Sequence, residues 1–199
     1  MSTDLISKKV YLFIGECDST CKTRKKLISN ILIHHLSEFG NIKMEDIFSD
    51  CNGKKYLPSN FGKQFSVSYS GHCFCIAISC TNVGVDIERK RKIDITHLIT
   101  CFHISEQEYI KNSELPCIQF LCFWTIKESI SKYIGIGLNL DFSRLVYSTL
   151  NKVVLRDKWI KSDVFDCYIK TIELSHSFIS ICLPEKSEII LRTIDLNSF

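Results

Sequence analysis

The order of apolar and polar positions divides the chain into stretches of strand and of helix period. Val10 to Ile14 is a short apolar run of strand length. Ser19 or Thr20 stands where a helix cap belongs, ahead of a stretch to about Glu38 in which Leu27, Ile28, Ile31, Leu32, Leu36 and Phe39 recur at helical spacing. Phe65, Val67 and Tyr69 then alternate with Ser66, Ser68 and Ser70. After Gly71, the run His72 to Ile78 is nearly all apolar, as for a strand buried on both faces. A turn at Thr81-Asn82 leads into a third strand, Val83 to Glu88. Ser105 with Glu108 three residues on has capping-box spacing and predicts a short helix. Pro116 opens a longer helix that runs to about Ile134 and ends at Gly135-Ile136-Gly137. Further strands are expected near Asp166 to Ile172, Ser177 to Leu183 and Glu188 to Ile194. Each half thus reads as helix plus strands, consistent with two similar halves packed together.

Composition narrows the class. The 199 residues are 45% hydrophobic, and Gly and Pro number 8 and 3, which excludes a disordered, collagen-like or low-complexity chain. A chain of this length buries roughly 70% of its unfolded surface. Its 11 cysteines are too few for a disulfide scaffold, odd in number and without a CxxC pair, so reduced, buried thiols are expected rather than a zinc site. Met1 to Asp4 carries no basic run, and the first apolar stretch is too short for a signal or a membrane span. None of the six histidines shows ligand spacing around carboxylates. The net charge of +3 is mild, so partners must be argued from local patches.

Two patches carry candidate chemistry. In the strand from Val83 to Glu88, period two puts Val83, Val85 and Ile87 on one face and Gly84, Asp86 and Glu88 on the other. Asp86 and Glu88, about 6–7 Å apart at the backbone, could converge on one hard cation or line the exposed face of an edge strand. In the helix from Pro116, Glu128 and Lys132 stand four residues apart on one face. They form either a surface ion pair or, among Phe120, Phe123, Trp124, Ile130 and Tyr133, a partly buried one. If Glu128 approaches Asp86 and Glu88, three carboxylates suit Mg²⁺, with Lys132 beside them for a phosphate. Lys22, Arg24, Lys25 and Lys26 crowd the start of the first helix, either as a solvated basic face or because an anion sits there. From Cys51 to Val85 there is no acid, while Lys54, Lys55 and Lys63 fall within the gap, so this segment could face a phosphate without carboxylate repulsion.

Gly84-Val85-Asp86-Ile87-Glu88, followed some forty residues on by Trp124-Thr125-Ile126-Lys127-Glu128-Ser129-x-x-Lys132, resembles the signature pair of the 4′-phosphopantetheinyl transferases. Gly53-Lys54-Lys55-Tyr56-Leu57 is similar to the family's Gly-Lys-Pro segment, Phe65 to Ser70 to its Phe-Asn-x-Ser-His-Ser segment, and Phe102 to Tyr109 to its Phe-Phe-x-x-x-Glu stretch. The length matches the Sfp-type enzymes rather than the half-length, trimeric acyl-carrier synthases. The resemblance therefore implies an α+β fold, a pseudo-dimer of two similar half-domains in one chain. Residues 1–82 would carry the coenzyme A segments, and residues 83–199 the metal and catalytic motifs.

The same resemblance implies a reaction. Coenzyme A binds between the halves, with Mg²⁺ on Asp86, Glu88 and Glu128 gripping its pyrophosphate. The serine hydroxyl of an apo acyl or peptidyl carrier protein attacks the β-phosphate, and 3′,5′-ADP leaves. Glu128, or a water it orients, is the candidate base, and Lys132 neutralises a phosphate oxygen. Arg24, Lys54 and Ser68 would hold the 3′-phosphoadenosine end. Two positions depart from the pattern: Tyr69 replaces the family's histidine, and Lys55, which could restore the lost charge, replaces its proline. A monomer in the cytoplasm is expected, acting on neither nucleic acid nor membrane. Two other readings are a metal-dependent nuclease or phosphodiesterase built on Asp86-x-Glu88-x-Lys90 and a catalytically silent carrier-binding module.

Overall fold

The computed structural model describes residues 9–17, 21–145 and 157–196. The candidate cap at Ser19 or Thr20 and the N-terminal residues Met1 to Asp4 lie outside them. Among the described residues three α-helices and ten strands follow one another: β1 (Lys9–Glu16), α1 (Cys21–Ser37), β2 (Phe48–Ser49), β3 (Lys55–Tyr56), β4 (Gln64–Ser70), β5 (Cys73–Ser79), β6 (Gly84–Arg89), α2 (Ile104–Lys111), α3 (Pro116–Ile134), β7 (Trp159–Lys161), β8 (Tyr168–Glu173), β9 (Ser177–Leu183) and β10 (Glu188–Thr193). The mixed α+β class expected from the periodicities is what the chain forms.

The strands assemble into two four-stranded sheets, ordered β10-β1-β5-β4 and β6-β9-β8-β7, plus the small β2-β3 pair. Within the sheets every pairing is antiparallel except β1 with β10, which is parallel and joins Lys9–Ile14 to Glu188–Thr193. The last strand therefore crosses back to the sheet formed by the elements before Asn82. β5, the nearly all-apolar run, is central in its sheet and buried at every position. α1 packs Ile28, Ile31, Leu32 and Leu36 over one face of this sheet, against Phe13, Phe65, Phe74 and Ile76. A second core joins Val10, Leu12, Cys75 and Ala77 of the first sheet to Val83, Val85, Ile87, Ile179 and Ile181 of the second. The β-branched face of β6 is thus what fastens the two sheets together. Burial of this kind contributes about 25 cal/mol per Å² of apolar surface, so these cores dominate the stability.

α3 lies on the second sheet. It begins at Pro116 and ends at Gly135, whose φ of 86° is the left-handed conformation of a C-terminal stop. α2 starts differently from the expected Ser105 cap. His103 is the cap residue: its ring nitrogen accepts from the Ser105 backbone N–H at 3.3 Å, and its own N–H donates to Glu106 at 3.2 Å. An imidazole cap is invisible to a rule written for hydroxyl and carboxamide side chains.

Glu106 also pairs with Lys127 of α3 at 2.8 Å, both side chains fully buried. Lys127 donates further to the carbonyls of Phe142 at 2.9 Å and Leu145 at 2.5 Å, and its ammonium lies 5.0 Å from the Phe102 ring centre. All three ammonium protons are thereby used, as burial of a charge requires. Burial still pulls the Lys127 ammonium below its ordinary pKa, with Glu106 opposing. This lysine pins α2 and the segment after α3 to the helix that carries Glu128.

Among the described residues, Cys51, Cys73, Cys75, Cys80, Cys101, Cys117, Cys167 and Cys182 are free thiols. Burial pushes the thiols of Cys73 and Cys75 upward, so both are unreactive core residues, as their strand position suggested. Among the described residues no helix is long and apolar enough to cross a membrane.

Candidate active site

β6 and α3 meet at Gly84. A Cβ there would stand 2.9 Å from the Tyr133 Cα and closer still to the Ser129 carbonyl oxygen and Tyr133 nitrogen, so only glycine lets the helix backbone rest on the strand. Two positions along the same face is Asp86, and four positions along is Glu88. The strand's period and the helix's close approach thereby aim Asp86, Glu88, Glu128 and Lys132 at one region.

Asp86 is 5% exposed, which removes it from the outer face of an edge strand. Its Oδ1 accepts from the Lys132 ammonium at 2.7 Å and from the Ser68 hydroxyl at 2.6 Å. Its Oδ2 is buried without a hydrogen-bond partner, and so is Oε1 of Glu128. Burial, augmented by Asp86 and Glu88 and opposed by Lys132, pushes the Glu128 carboxyl up to about 7. Burial raises Asp86 as well, with Lys132 and Ser68 opposing. Burial alone would lower the Lys132 ammonium, but its contact with Asp86 outweighs that and keeps the ammonium above its usual value. The directions agree: burial raises the Asp86 and Glu128 carboxyls, while contact with Asp86 keeps the Lys132 ammonium charged.

Glu88 is clamped separately. Its Oε2 accepts from the Ser70 hydroxyl and from Arg91, both at 2.6 Å. Among the described residues, Asp86, Glu88 and Glu128 do not all bring a carboxylate oxygen within 4.8 Å of one another. The group that does meet that spacing is His34, His35 and Glu38 at the end of α1, against the expectation from sequence. There Glu38 is engaged by His35 at 2.5 Å and by Arg192 at 3.4 Å, cross-linking α1 to β10. The three acids of the β6–α3 site fit a hard divalent cation on other grounds. Two of their oxygens are buried with no partner, burial raises the Asp86 and Glu128 carboxyls, and every donor is a carboxylate.

A cleft of about 450 Å³ opens beside these acids, lined by Lys25, Lys54, Lys55, Ser66, Tyr69 and Lys132 among others. Lys54 lies at its wall, its ammonium donating to the Tyr133 carbonyl and to Asn82, each at 3.1 Å, so it also caps the exposed carbonyls of α3. Burial draws its pKa down, with Asp50 opposing. Arg24 donates to the Gly71 carbonyl and places its guanidinium 5.7 Å from the centre of the Tyr69 ring. Tyr69 is 45% exposed at the cleft edge. Of the residues expected to face coenzyme A, Lys54, Lys55, Tyr69 and Lys132 line the cleft, and Ser68 instead bonds Asp86 and Lys132. Lys90 turns away from Asp86 and Glu88 and bonds Glu173 at 2.6 Å and the Leu174 carbonyl at 2.8 Å, so the acid-acid-lysine triplet of a nuclease is not assembled.

The alternation of β4 holds a signal that strand periodicity alone leaves unread. Ser66 accepts from the Val85 N–H at 3.0 Å, Ser68 donates to Asp86, and Ser70 donates to Glu88 while accepting from the Arg89 N–H at 3.2 Å. Two strands from different sheets run side by side, so serines at every second position of β4 meet Val85, Asp86, and Glu88 with Arg89, in order along β6. Ser70 and Arg91 were not among the expected site residues, because nothing in one sequence gives the register between sheets.

Residues 82–182 match the model of the 4′-phosphopantetheinyl transferase superfamily, a span that contains Asp86, Glu88, Glu128 and Lys132. The chain belongs to this superfamily. Within it, the chain is similar to Sfp-type transferases. It is 37% identical over 128 residues to 4′-phosphopantetheinyl transferase gsp of Aneurinibacillus migulanus, covering 60% of this chain and 52% of the relative. Over 139 residues it is 27% identical to 4′-phosphopantetheinyl transferase Sfp of Bacillus subtilis (strain 168), covering 65% and 59%. Over 187 residues it is 23% identical to the L-aminoadipate-semialdehyde dehydrogenase-phosphopantetheinyl transferase of Saccharomyces cerevisiae, covering 87% and 67%. The chain thus spans between half and three fifths of the length of the bacterial relatives named here. In this superfamily member the signature strand and helix are the two elements that meet at Gly84.

Proposed function

We propose that this chain transfers the 4′-phosphopantetheine group of coenzyme A to a serine hydroxyl of an apo acyl or peptidyl carrier protein, releasing 3′,5′-ADP. The observation that carries the reading is the pair of buried, unpartnered carboxylate oxygens on Asp86 and Glu128 beside a lysine-lined cleft. Asp86, Glu88 and Glu128 would hold Mg²⁺. When bound, that ion offsets the negative charge of the diphosphate and of its leaving group.

The chain's own residues supply the rest. Lys54 and Lys55, with Lys25 opposite, give the cleft the positive wall that phosphates need, and Arg24 beside Tyr69 adds a guanidinium at its edge. Tyr69 offers a phenol where the family has histidine, so this charge comes from Arg24 and Lys55. Lys132 is charged at neutral pH and stands where a phosphate oxygen can replace Asp86 as its partner. Glu128, with a carboxyl that holds its proton up to about 7, is matched to taking a proton from the carrier serine near neutral pH, directly or through a water. Ser68 holds Asp86 and Lys132 in place. The two sheets, divided near Asn82 except for β10, act as the two similar halves of a pseudo-dimer with the cleft between them. The chain acts as a monomer in the cytoplasm.

Incubation with coenzyme A, Mg²⁺ and an apo carrier protein should raise the carrier's mass by about 340 Da, the phosphopantetheine increment. EDTA should stop the shift and added Mg²⁺ restore it. Asp86→Ala and Glu128→Ala should abolish it while leaving the far-ultraviolet circular dichroism unchanged. An unmodified mass across fatty-acid, polyketide and peptide-synthetase carriers would refute the reading.

A further inference from the structure

Each acid of β6 has one oxygen committed and one left over. On Asp86, Oδ1 is taken by the β4 hydroxyl of Ser68 and by the ammonium of Lys132, while Oδ2 is unpartnered. On Glu88, Oε2 is taken by the β4 hydroxyl of Ser70 and by the guanidinium of Arg91. The arrangement repeats two residues along both strands: a buried serine plus a cation on one oxygen, with the other oxygen turned away from both.

Ser70 is 7% exposed and does more than touch Glu88. It receives the Arg89 N–H at 3.2 Å and an Arg91 N–H at 3.0 Å, so its hydroxyl proton has a fixed direction and points at Glu88. The same Arg91 nitrogen donates to Oε2 at 2.6 Å and to the Arg89 carbonyl at 3.2 Å, so hydroxyl and guanidinium close a compact triangle on Oε2. A glutamate has three rotatable bonds, and fixing them before a ligand arrives removes an entropy cost from binding.

We infer that Ser70, with Arg91, is a positioning residue of the cation site, acting through Glu88: the two lock Oε2 and thereby present Oε1 as the ligand oxygen. The inference rests on the proposed function, in which Glu88 holds a divalent cation. Outer partners of metal-ligating side chains typically contribute ten- to a hundredfold in metal affinity. For a hydroxyl that fixes one carboxylate already held by Arg91, the lower end applies.

The test is Mn²⁺ affinity by electron paramagnetic resonance, titrating the metal into the full chain saturated with coenzyme A, with no carrier present. Ser70→Ala should weaken Mn²⁺ binding about tenfold, and Ser70→Thr, which keeps the hydroxyl, should return it to within about threefold of wild type. Ser79→Ala is the matched control. It removes a buried hydroxyl from β5, the strand paired with β4, one that bonds Thr81 and no carboxylate, so it should lower the melting temperature without moving Mn²⁺ affinity more than about twofold. Glu88→Gln separates the two layers of argument. If wild type binds no Mn²⁺, or Glu88→Gln binds it as tightly as wild type, the metal reading falls and this inference with it. If Glu88→Gln is weakened while Ser70→Ala matches wild type, the positioning role alone is overturned. If Ser79→Ala weakens Mn²⁺ as much as Ser70→Ala, the effect is general loosening of this sheet and the inference is likewise refuted.

Discussion

Replacing Gly84 by alanine asks whether the approach of β6 and α3 sets the site. The added methyl would lie 2.9 Å from the Tyr133 Cα, with the Ser129 carbonyl and Tyr133 nitrogen nearer still, and all three are backbone atoms that no rotamer change can move. Ordinary carbon contacts need about 3.5–4.0 Å, so the helix must retreat from the strand by roughly 1 Å or more. Overpacking of this kind costs about 1–3 kcal/mol, which for a chain of this size lowers the melting temperature by several degrees at about 2–4 °C per kcal/mol. The retreat also carries Glu128 and Lys132 away from Asp86, and a 1 Å misplacement of reacting groups can cost on the order of a hundredfold in rate. Calorimetry and the carrier mass-shift assay read the two effects separately. A Gly84→Ala protein that melts within a degree of wild type and keeps its transfer rate would refute the idea that this contact positions the site. A protein that loses stability but keeps its rate at a temperature where it is fully folded would show that packing and chemistry are uncoupled here.

Two further outcomes follow from buried or bonded charges. Lys127→Met leaves Glu106 buried without its ammonium partner and should cost about 3–5 kcal/mol in urea unfolding. Adding Glu106→Gln to it should recover part of the loss, because the stranded charge is then gone. The Glu38 carboxyl is held below its ordinary value of 4.5, chiefly by its hydrogen bond from His35. A lowered folded pKa means that the stability it lends is present above 4.5 and fades as pH falls through the depressed value. The melting-temperature gap between wild type and Glu38→Gln should therefore be steady from about pH 5 to 6 and close as the pH is taken below 4. A gap that widened with acid would reverse the assignment.

The local grammar of the chain was legible in its residues. Alternation in Phe65 to Ser70, the apolar run before Ser79, Pro116 and Gly135 at the two ends of one helix, and the face shared by Asp86 and Glu88 all follow from periods of two and 3.6 and from the backbone limits of proline and glycine. The spacing from Gly84 to Lys132 carried the family. The rest required the third dimension. β10 returns to pair with β1, setting Glu188 beside Lys9 from the far end of the sequence, a long-range choice that local pattern does not encode. Local pattern does not say why position 84 is glycine, and only the crossing helix shows that no side chain fits there. Ser68 was expected at the 3′-phosphoadenosine end, yet the register between β4 and β6 turns it, with Ser70, onto two carboxylates. Lys127 and Glu106, which no local pattern links, form the most deeply buried ion pair among the described residues. Sequence determined which residues could do chemistry, because that depends on side-chain type and spacing. Tertiary structure decided which of them face one another, because burial and register arise only when separate segments meet.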